Sequence, residues 1–495
     1  MYTCGPTVYD FAHIGNFRTY TTADILVRTL KVNKLNVKYV MNVTDVGHLT
    51  GDNLGDADTG EDRMEKSAKK EGKTAWEVAK FYTDAFLTDF KKLNLTQPAV
   101  IARATDHIKE QIELVKRLED EGYTYQTSDG IYFDTSRFKD YGKLSNLDQI
   151  KEGARVEINV EKKNPRDFAL WKFSYPNGKT YEEFVASFDK TQDDDVSRRQ
   201  MEWESPWGVG FPGWHIECSA MALKYLTDSF DPFDKLRVNG EFNRTIDIHA
   251  GGIDLRETHH PNEIAQAEAV THKPFATYWV HSAFMLVTGE RMSKSLGNNY
   301  KIYDLEKEGF SALDLRYLYL QTHYRQEMNF TFASLEAAKN ALEKLKKAIT
   351  TWPDGSVSQG ATSNEGRNSP QGEEGAKANE EFQMQFLTAI HDDLNTSQAL
   401  SVLWEMVKSE LPDSVKLPTL FWMDEVLGLG MKDHYLQTVR SVVDIPPEVR
   451  LLIEERNSAR KGRHYVMADQ LRNKIQKLGY DIQDAEDGTT IKKLS

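Results

Sequence analysis

The sequence predicts an α/β protein, in which a parallel-sheet domain is split by an insertion and followed by an all-helical C-terminal region. Three observations carry this. The first 45 residues read strand, turn, helix, strand, an order that makes a parallel pair with a right-handed crossover. Strand and helix signals resume from Trp214 to about residue 300, after a stretch of different character. Beyond Asp304 the pattern turns almost wholly helical.

Tyr2, Thr3 and Cys4 form a short extended piece, cut off by Gly5-Pro6. Across residues 18–32, Tyr20, Ala23, Val27 and Leu30 recur at helical spacing, and Val37, Tyr39, Met41 and Val43 then alternate as in a strand. Residues 52–75 are polar and read as loop followed by helix; 76–95 and 106–121 read as helices. Short strand-like pieces such as Gly130–Phe133 alternate with turns through 122–212, with 181–199 an exposed excursion around Asp193, Asp194 and Asp195. Gly251-Gly252 marks a tight strand-to-loop transition. Residues 354–379 hold five Gly, four Ser, three Asn and two Gln, with Val357 the only large apolar residue. Such a segment cannot bury enough surface to offset its ordering entropy, so a disordered linker is expected. Helical blocks follow at about 380–411 and 446–478. The boundaries are therefore 1–121 and 213–303 for the two halves of the sheet domain, and 122–212 for a connective insertion. Then come a helical region at 304–353, the linker at 354–379, a helical bundle at 380–445 and a small C-terminal region at 446–495.

Composition narrows the class. The chain has 495 residues, 39% hydrophobic and 28% charged, which is ordinary for a soluble protein of about three domains. No apolar run approaches the roughly 18 residues that span a bilayer, and the N-terminus lacks a basic leader with an apolar core. No membrane association and a cytoplasmic location are expected. Two cysteines, Cys4 and Cys218, exclude a secreted disulfide scaffold. The net charge of −14 argues against indiscriminate binding to nucleic acid, though a local basic patch can still hold one.

Three constellations carry chemistry. His13-Ile14-Gly15-Asn16 lies between the first strand and the first helix. A helix N-terminus there would offer N–H groups and a partial positive charge to a phosphate, Gly15 would let a nucleotide approach, and His13 could donate to phosphate oxygens. Arg291-Met292-Ser293-Lys294-Ser295 follows the strand-like run 280–287, and its two cations and two hydroxyls could clamp a polyphosphate. The third joins Cys4 and Cys218 to His259-His260-Pro261-Asn262-Glu263. Cys218 sits near the start of a helix-like run, which favours a thiolate, and Pro261 suits a first helical turn. His259 and Glu263 are four apart, so both can reach one metal. Two thiolates, an imidazole and a carboxylate suit tetrahedral zinc; the competing reading is two inert buried cysteines and a helix-capping histidine.

The His13–Asn16 and Arg291–Ser295 segments, in this order on a split sheet domain, resemble the signature motifs of class I aminoacyl-tRNA synthetases. MYTCGPTVYDFAHIGN, NPRDFALWK, PGWHIECSAM, DIHAGGIDL, HHPNEIAQ, RMSKSLGN and DDLNTSQAL occur in that order and are similar to the cysteinyl-tRNA synthetase family over residues 1 to about 400. The tail EERNSARKGRHYVMADQLRNKIQKLGYDIQD is similar too. The resemblance implies a Rossmann-like catalytic domain and one zinc ion per chain on Cys4, Cys218, His259 and Glu263, binding the substrate thiolate. It implies ATP contacts from His13, Gly15, Asn16, Arg291, Ser293, Lys294 and Ser295, with Mg²⁺ on the nucleotide and His13, Asn16 and Lys294 catalytic. Trp214 would flank the cysteine side chain, Asp254 would take its amine, and Thr44 and His249 would line the adenylate pocket. Residues 304–353 would contact the stem of tRNA-Cys and 446–495 its anticodon end. ATP and L-cysteine are the implied small substrates, and a monomer is expected.

The sequence departs from the family pattern at four positions and in its inserts at 174–200, 227–246 and 354–379, which are longer than the family typically shows. Asn16 stands where a second His is usual, and Arg291 where a Lys is usual. Pro261 stands where a Glu is common, and Cys4 comes unusually near the start of the sequence. Two rivals remain: a related ligase passing cysteine to a small amine, and a silent paralogue that binds zinc or RNA. The first is weighed against by the basic helical tail, the second by the intact His13, Lys294 and cysteines.

Overall fold

The structure, a computed structural model, describes residues 1–47, 49, 61–145, 160–187, 198–227, 245–293, 296–352, 377–443, 446–462, 464–485 and 488–493. It divides into two compact units, residues 1–343 with 376–429 and residues 344–375 with 430–495.

The first unit is built on a parallel sheet. β1 (Tyr2–Thr3) leads through α1 (Ile14–Val32) to β2 (Val40–Val43), and β3 (Val100–Arg103) follows. After the insertion come α2 (Trp214–Leu226), β4 (Ile246–Gly252), α3 (His259–Thr271) and β5 (Ala276–Ser282). The strand order is β3-β2-β1-β4-β5. Tyr2 pairs with Val40 on one side and with His249 on the other, both in parallel. This is the order of a Rossmann-like sheet, and it reverses at β1. Ligands of such sheets bind in the crevice outside the carboxyl ends of the strands at that reversal. Cys4 leaves β1 there, with its N–H on the Ala250 carbonyl at 3.1 Å, and Asp254 follows β4.

β2 differs from the alternating strand the sequence suggested: all four of its residues are buried. A central parallel strand is covered on both faces and has no solvent side to mark with polar residues. α1 is pinned in place by charge. The Asp24 carboxylate lies 2.6 Å from Arg316 and 2.8 Å from Arg28. Burial alone would raise its pKa, but the two guanidinium groups hold it below the usual carboxylate range. Arg316 is itself buried, and also donates to the carbonyls of Leu427 and Leu93.

Within the insertion, Thr124–Thr127, Gly130–Phe133, Phe168–Phe173 and Gly210–Pro212 form a four-stranded antiparallel sheet. The stretch 181–199 includes a short helix, Tyr181–Val185; the acidic triplet Asp193 to Asp195 lies outside the described residues, as do 353–376, most of the expected linker.

Beyond Asp304 the described residues are helical or in connecting turns, with two exceptions. Met328–Phe330 pairs in parallel with Met285–Val287. In the second unit, helices Pro447–Lys461 and Tyr465–Lys477 are followed by an antiparallel hairpin, Tyr480–Ala485 with Gly488–Lys493. Val449, Ile453, Ile475, Tyr480 and Ile482 form their shared core. No helix among the described residues is long and apolar enough to cross a membrane.

Candidate active site and metal centre

His13 is the N-cap of α1. Its Nδ1 accepts from the Asn16 N–H at 3.2 Å, and Asn16 Oδ1 accepts from the His13 N–H at 3.0 Å, a reciprocal capping box. An accepting Nδ1 carries no proton, so the ring is the neutral tautomer with its proton on Nε2. The Ile14 N–H donates to the Tyr300 carbonyl at 2.9 Å. Two of the N–H groups that the sequence reading left for a phosphate are thus satisfied within the chain. The side chains of His13 and Asn16, which line the cleft, could also donate to an anion here, aided by the helix dipole. Asn16 completes the cap with its oxygen and keeps Nδ2 as a donor.

The two signature segments, about 275 residues apart in sequence, touch. A Cβ on Gly15 would run into the Met292 methyl group and crowd the His13 ring at 3.1 Å. A glycine at position 15 is what lets the Met292 methyl group approach the start of α1 this closely, besides any nucleotide. That segment is braced by Asn298, whose Oδ1 accepts from the Ser293 N–H at 2.8 Å and whose Nδ2 donates to the Arg291 carbonyl at 3.2 Å. The Arg291 guanidinium stacks over Phe284 at 4.6 Å. Arg18 of α1 donates to the carbonyls of Ala283, Phe284, His323 and Gln326, tying α1 to the strand that precedes the segment. Lys294 and Ser295 lie outside the described residues.

Cys4, Cys218, His259 and Glu263 come together across 259 residues of sequence. Their ligand atoms all lie within 4.8 Å of one another. Cys4 comes from the end of β1, Cys218 from α2, and His259 and Glu263 from one face of α3 at 3.8 Å. A second, overlapping set shares Cys4 and Glu263 and adds His249 and His260. His260 Nε2 is 3.6 Å from the Cys4 sulfur, and His249 Nε2 is 3.2 Å from Glu263. All six residues are buried. Burial pushes the Cys4 thiol well above its usual range, and Cys218 and Glu263 add to that. Anionic donors so placed repel one another, and a bound cation would relieve the repulsion.

The histidines form a chain around the cluster. His215 Nδ1 lies 2.9 Å from His259 Nδ1, and His260 Nδ1 lies 2.9 Å from His281 Nε2. His260 is held neutral by burial and by its histidine neighbours. The sequence reading missed His215, His260 and His281; the doublet His259-His260 and the His215 beside Trp214 were the available signals.

One cleft of about 290 Å³ joins the two ends of the site. Cys4, Trp214, Asp254, His13 and Asn16 all line it. The Trp214 ring packs 4.4 Å from that of His259. The Asp254 side chain is exposed to the cleft, and the surrounding protein that limits its hydration raises its pKa. Gly252 permits its turn, because a Cβ there would strike Asp254. Thr44 and His249 do not line the cleft. Thr44 is buried at the end of β2, accepting from Asn42 at 3.2 Å, and His249 stacks on Trp279 at 4.6 Å behind the cluster.

A family model described as the class I (C) catalytic domain of tRNA synthetases matches residues 1–340. The curated "Cysteine--tRNA ligase" of Treponema denticola is 41% identical over 507 residues, covering 100% of this chain and 95% of that protein. The chain belongs to the cysteine-tRNA ligase family. "Cysteine--tRNA ligase 1" of Burkholderia lata is 42% identical, covering 99% of this chain and 91% of that protein. A DALR-domain model matches residues 385–409, within the helices Glu380–His391 and Thr396–Lys408 and the turn between them. Among solved structures, the methionyl-tRNA synthetase of Mycobacterium tuberculosis bound by methionyl-adenylate superposes with a TM-score of 0.51. It covers 88% of this chain and 92% of that chain, at 15% identity, so the likeness is one of fold.

Proposed function

We propose that the chain activates L-cysteine with ATP and transfers the cysteinyl group to the 3′ end of tRNA-Cys. The cysteine carboxylate attacks the α-phosphate, giving cysteinyl-adenylate and pyrophosphate; the terminal ribose hydroxyl of the tRNA then attacks the activated carbonyl and releases AMP. The observation that carries this reading, beside the family, is the single cleft joining Cys4, Trp214 and Asp254 to His13 and Asn16. It is built to hold a small thiol amino acid against a polyphosphate.

Cys4, Cys218, His259 and Glu263 would hold a zinc ion, and the buried, mutually repelling donor set fits a dication. When bound, zinc supplies a thiophilic centre for the substrate thiolate that disfavours the hydroxyl of serine. Trp214 packs beside the substrate side chain and the Asp254 carboxylate takes the ammonium. Thr44 and His249 support the adenylate pocket from behind. His13 donates from Nε2 and Asn16 from Nδ2 to the phosphates, with Mg²⁺ accompanying the nucleotide. Gly15, Arg291, Ser293, Lys294 and Ser295 complete the ATP site, with Lys294 matched to charge developing on the departing pyrophosphate. The chain's contribution is positioning and charge stabilisation, with no covalent enzyme intermediate.

Residues 446–495 would bind the anticodon end. Between residues 456 and 477 seven cations face the single acid Asp469, a net of +6 in a chain of net −14, and phosphate contacts need such local charge. The enzyme is placed in the cytoplasm as a monomer. The deciding experiment offers the same protein tRNA-Cys and small amines with cysteine and ATP. Acylated tRNA supports the reading, a cysteinyl amide of a small amine replaces it with the rival ligase, and the absence of cysteine-dependent pyrophosphate exchange removes both.

A further inference from the structure

Residues 392–395 join the helices Glu380–His391 and Thr396–Lys408. Two of them, Asp393 and Leu394, sit in the left-handed backbone region, at φ 52° and 57°. Aspartate is one of the few side chains that tolerates this region; leucine is not. The turn is kept there by its neighbours. The Asp393 carbonyl accepts from His323 Nε2 at 2.9 Å. The Asp393 carboxylate accepts from the Tyr324 hydroxyl at 2.7 Å and from two nitrogens of Arg325 at 2.5 and 3.1 Å. The Arg325 pair is exposed and adds little by itself, whereas Tyr324 is buried. Leu394 lines a small cavity with Arg18, Thr322 and Tyr324.

The stretch that holds the turn also holds the strand before the Arg291–Ser293 segment. The Tyr324 carbonyl accepts from the Ala283 N–H at 2.8 Å, and the Met328 N–H donates to the Phe284 carbonyl at 3.1 Å. Arg18 gathers carbonyls from both stretches, Ala283 and Phe284 on one, His323 and Gln326 on the other. Phe284 carries the Arg291 guanidinium over its ring, and Met292 meets Gly15. An unbroken set of contacts therefore runs from Asp393 through residues 323–326 and 283–284 to Arg291–Ser293. A strained turn persists where its surroundings over-determine it, and such strain gathers where a functional geometry must be held. We propose that Asp393 is a positioning residue for cysteine activation: by holding residues 323–326 on the Ala283-Phe284 backbone, it fixes where Arg291–Ser293 meets the start of α1. The inference rests on the proposed reading of that segment as part of the ATP site.

The test measures single-turnover adenylation on the full chain with cysteine and ATP, because that rate constant does not depend on how much of the protein is folded. Asp393→Ala should lower it about 10–100-fold, as for a misplacement of about 1 Å, with cysteine affinity unchanged. Asp393→Asn keeps the turn conformation and an acceptor for Tyr324, and should retain most of the rate. Asp393→Gly relieves the backbone without restoring the ties, and should stay slow. In an Arg291→Ala background, Asp393→Ala should cost less than it does in the parent, because both act through one segment. Asn395→Ala is the control. It removes the cap of the next helix, where Asn395 accepts from the Gln398 N–H at 3.1 Å, and so weakens the same turn while leaving the ties of Asp393 in place. It should leave the rate unchanged. Trypsin should cut after Arg291 faster in Asp393→Ala than in the parent or in Asn395→Ala, with the site identified by mass spectrometry. A full rate in Asp393→Ala, recovery in Asp393→Gly, an equal loss in Asn395→Ala, or full additivity with Arg291→Ala would each overturn the inference. If the parent activates no cysteine, the proposed function fails instead, and cleavage after Arg291 still decides whether Asp393 holds the segment.

Discussion

Gly15→Ala separates two reasons for a glycine at this position. Gly15 lies in the first turn of α1 with no backbone conformation that excludes alanine, so the change adds a methyl group and improves helix propensity by up to about 1 kcal/mol. The methyl would overlap Met292, which would have to withdraw by roughly 1–2 Å to reach ordinary contact. Met292 is flexible, so the fold should absorb the displacement and the melting temperature should hold or rise slightly. Arg291 and Ser293, the neighbours of Met292, would shift with it, and a misplacement of about 1 Å can cost on the order of 100-fold in rate. The expected result is a 10–100-fold loss in the cysteine-dependent pyrophosphate exchange rate, with a smaller change in KM for ATP. Gly15→Ala/Met292→Ala should recover most of the rate, because the overlap is gone. Full activity in Gly15→Ala would refute the packing argument. A loss that the second substitution does not relieve would mean that the glycine serves the nucleotide instead.

Lys294→Ala should slow adenylation about 10²–10³-fold in single-turnover measurements while ATP affinity changes less, as for loss of one charge-stabilising donor. His281 is kept neutral by burial and by its neighbours His249, Arg256 and Arg325, which push its pKa down to about 4. Unfolded it titrates near pH ~6.5, so the unfolded chain binds the extra proton below that value. Its contribution, about 3 kcal/mol at most, is fully present above pH ~6.5 and lost as the pH falls through about 4. His281→Asn should therefore flatten acid unfolding in that window, and an unchanged profile would exclude His281 as its source. Arg316→Met should destabilise the protein by about 3–5 kcal/mol in denaturant titration, since it leaves the buried Asp24 carboxylate on Arg28 alone. Adding Asp24→Asn should return part of the loss; strict additivity of the two changes would contradict the pairing.

The β1–α1–β2 unit was legible because Tyr20, Ala23, Val27 and Leu30 mark one helix face and the strands flank it. The helix Asp413–Leu427 was less so, because Pro418 interrupts a helical reading although it lies inside the helix. The C-terminal hairpin was hidden by its polar composition: Asp481 pairs with Lys492 and Gln483 with Thr490, leaving few apolar residues to alternate. At the site, the i,i+4 pair His259 and Glu263 was visible from spacing. The meeting of Cys4 with Cys218 was an open alternative to two inert buried cysteines, because it depends on α2 bringing Cys218 against the end of β1, which residue spacing does not encode; the family resemblance favoured it. Spacing does not single out His260, since adjacent helix residues diverge by about 100°, yet its ring still comes within 3.9 Å of Glu263. Its place in a second donor set depends on His249, brought alongside by the register of β4.

In the proposed function, a buried metal centre at one end of the cleft selects cysteine for activation at the other. Cysteine-dependent and serine-dependent pyrophosphate exchange, measured on the purified chain before chelation, after chelation and after zinc is restored, tests it most directly. One zinc per chain, exchange with cysteine but not with serine, loss on chelation and recovery with zinc are the expected results. A zinc-free preparation that activates cysteine at the full rate, or one that activates serine equally well, would contradict it.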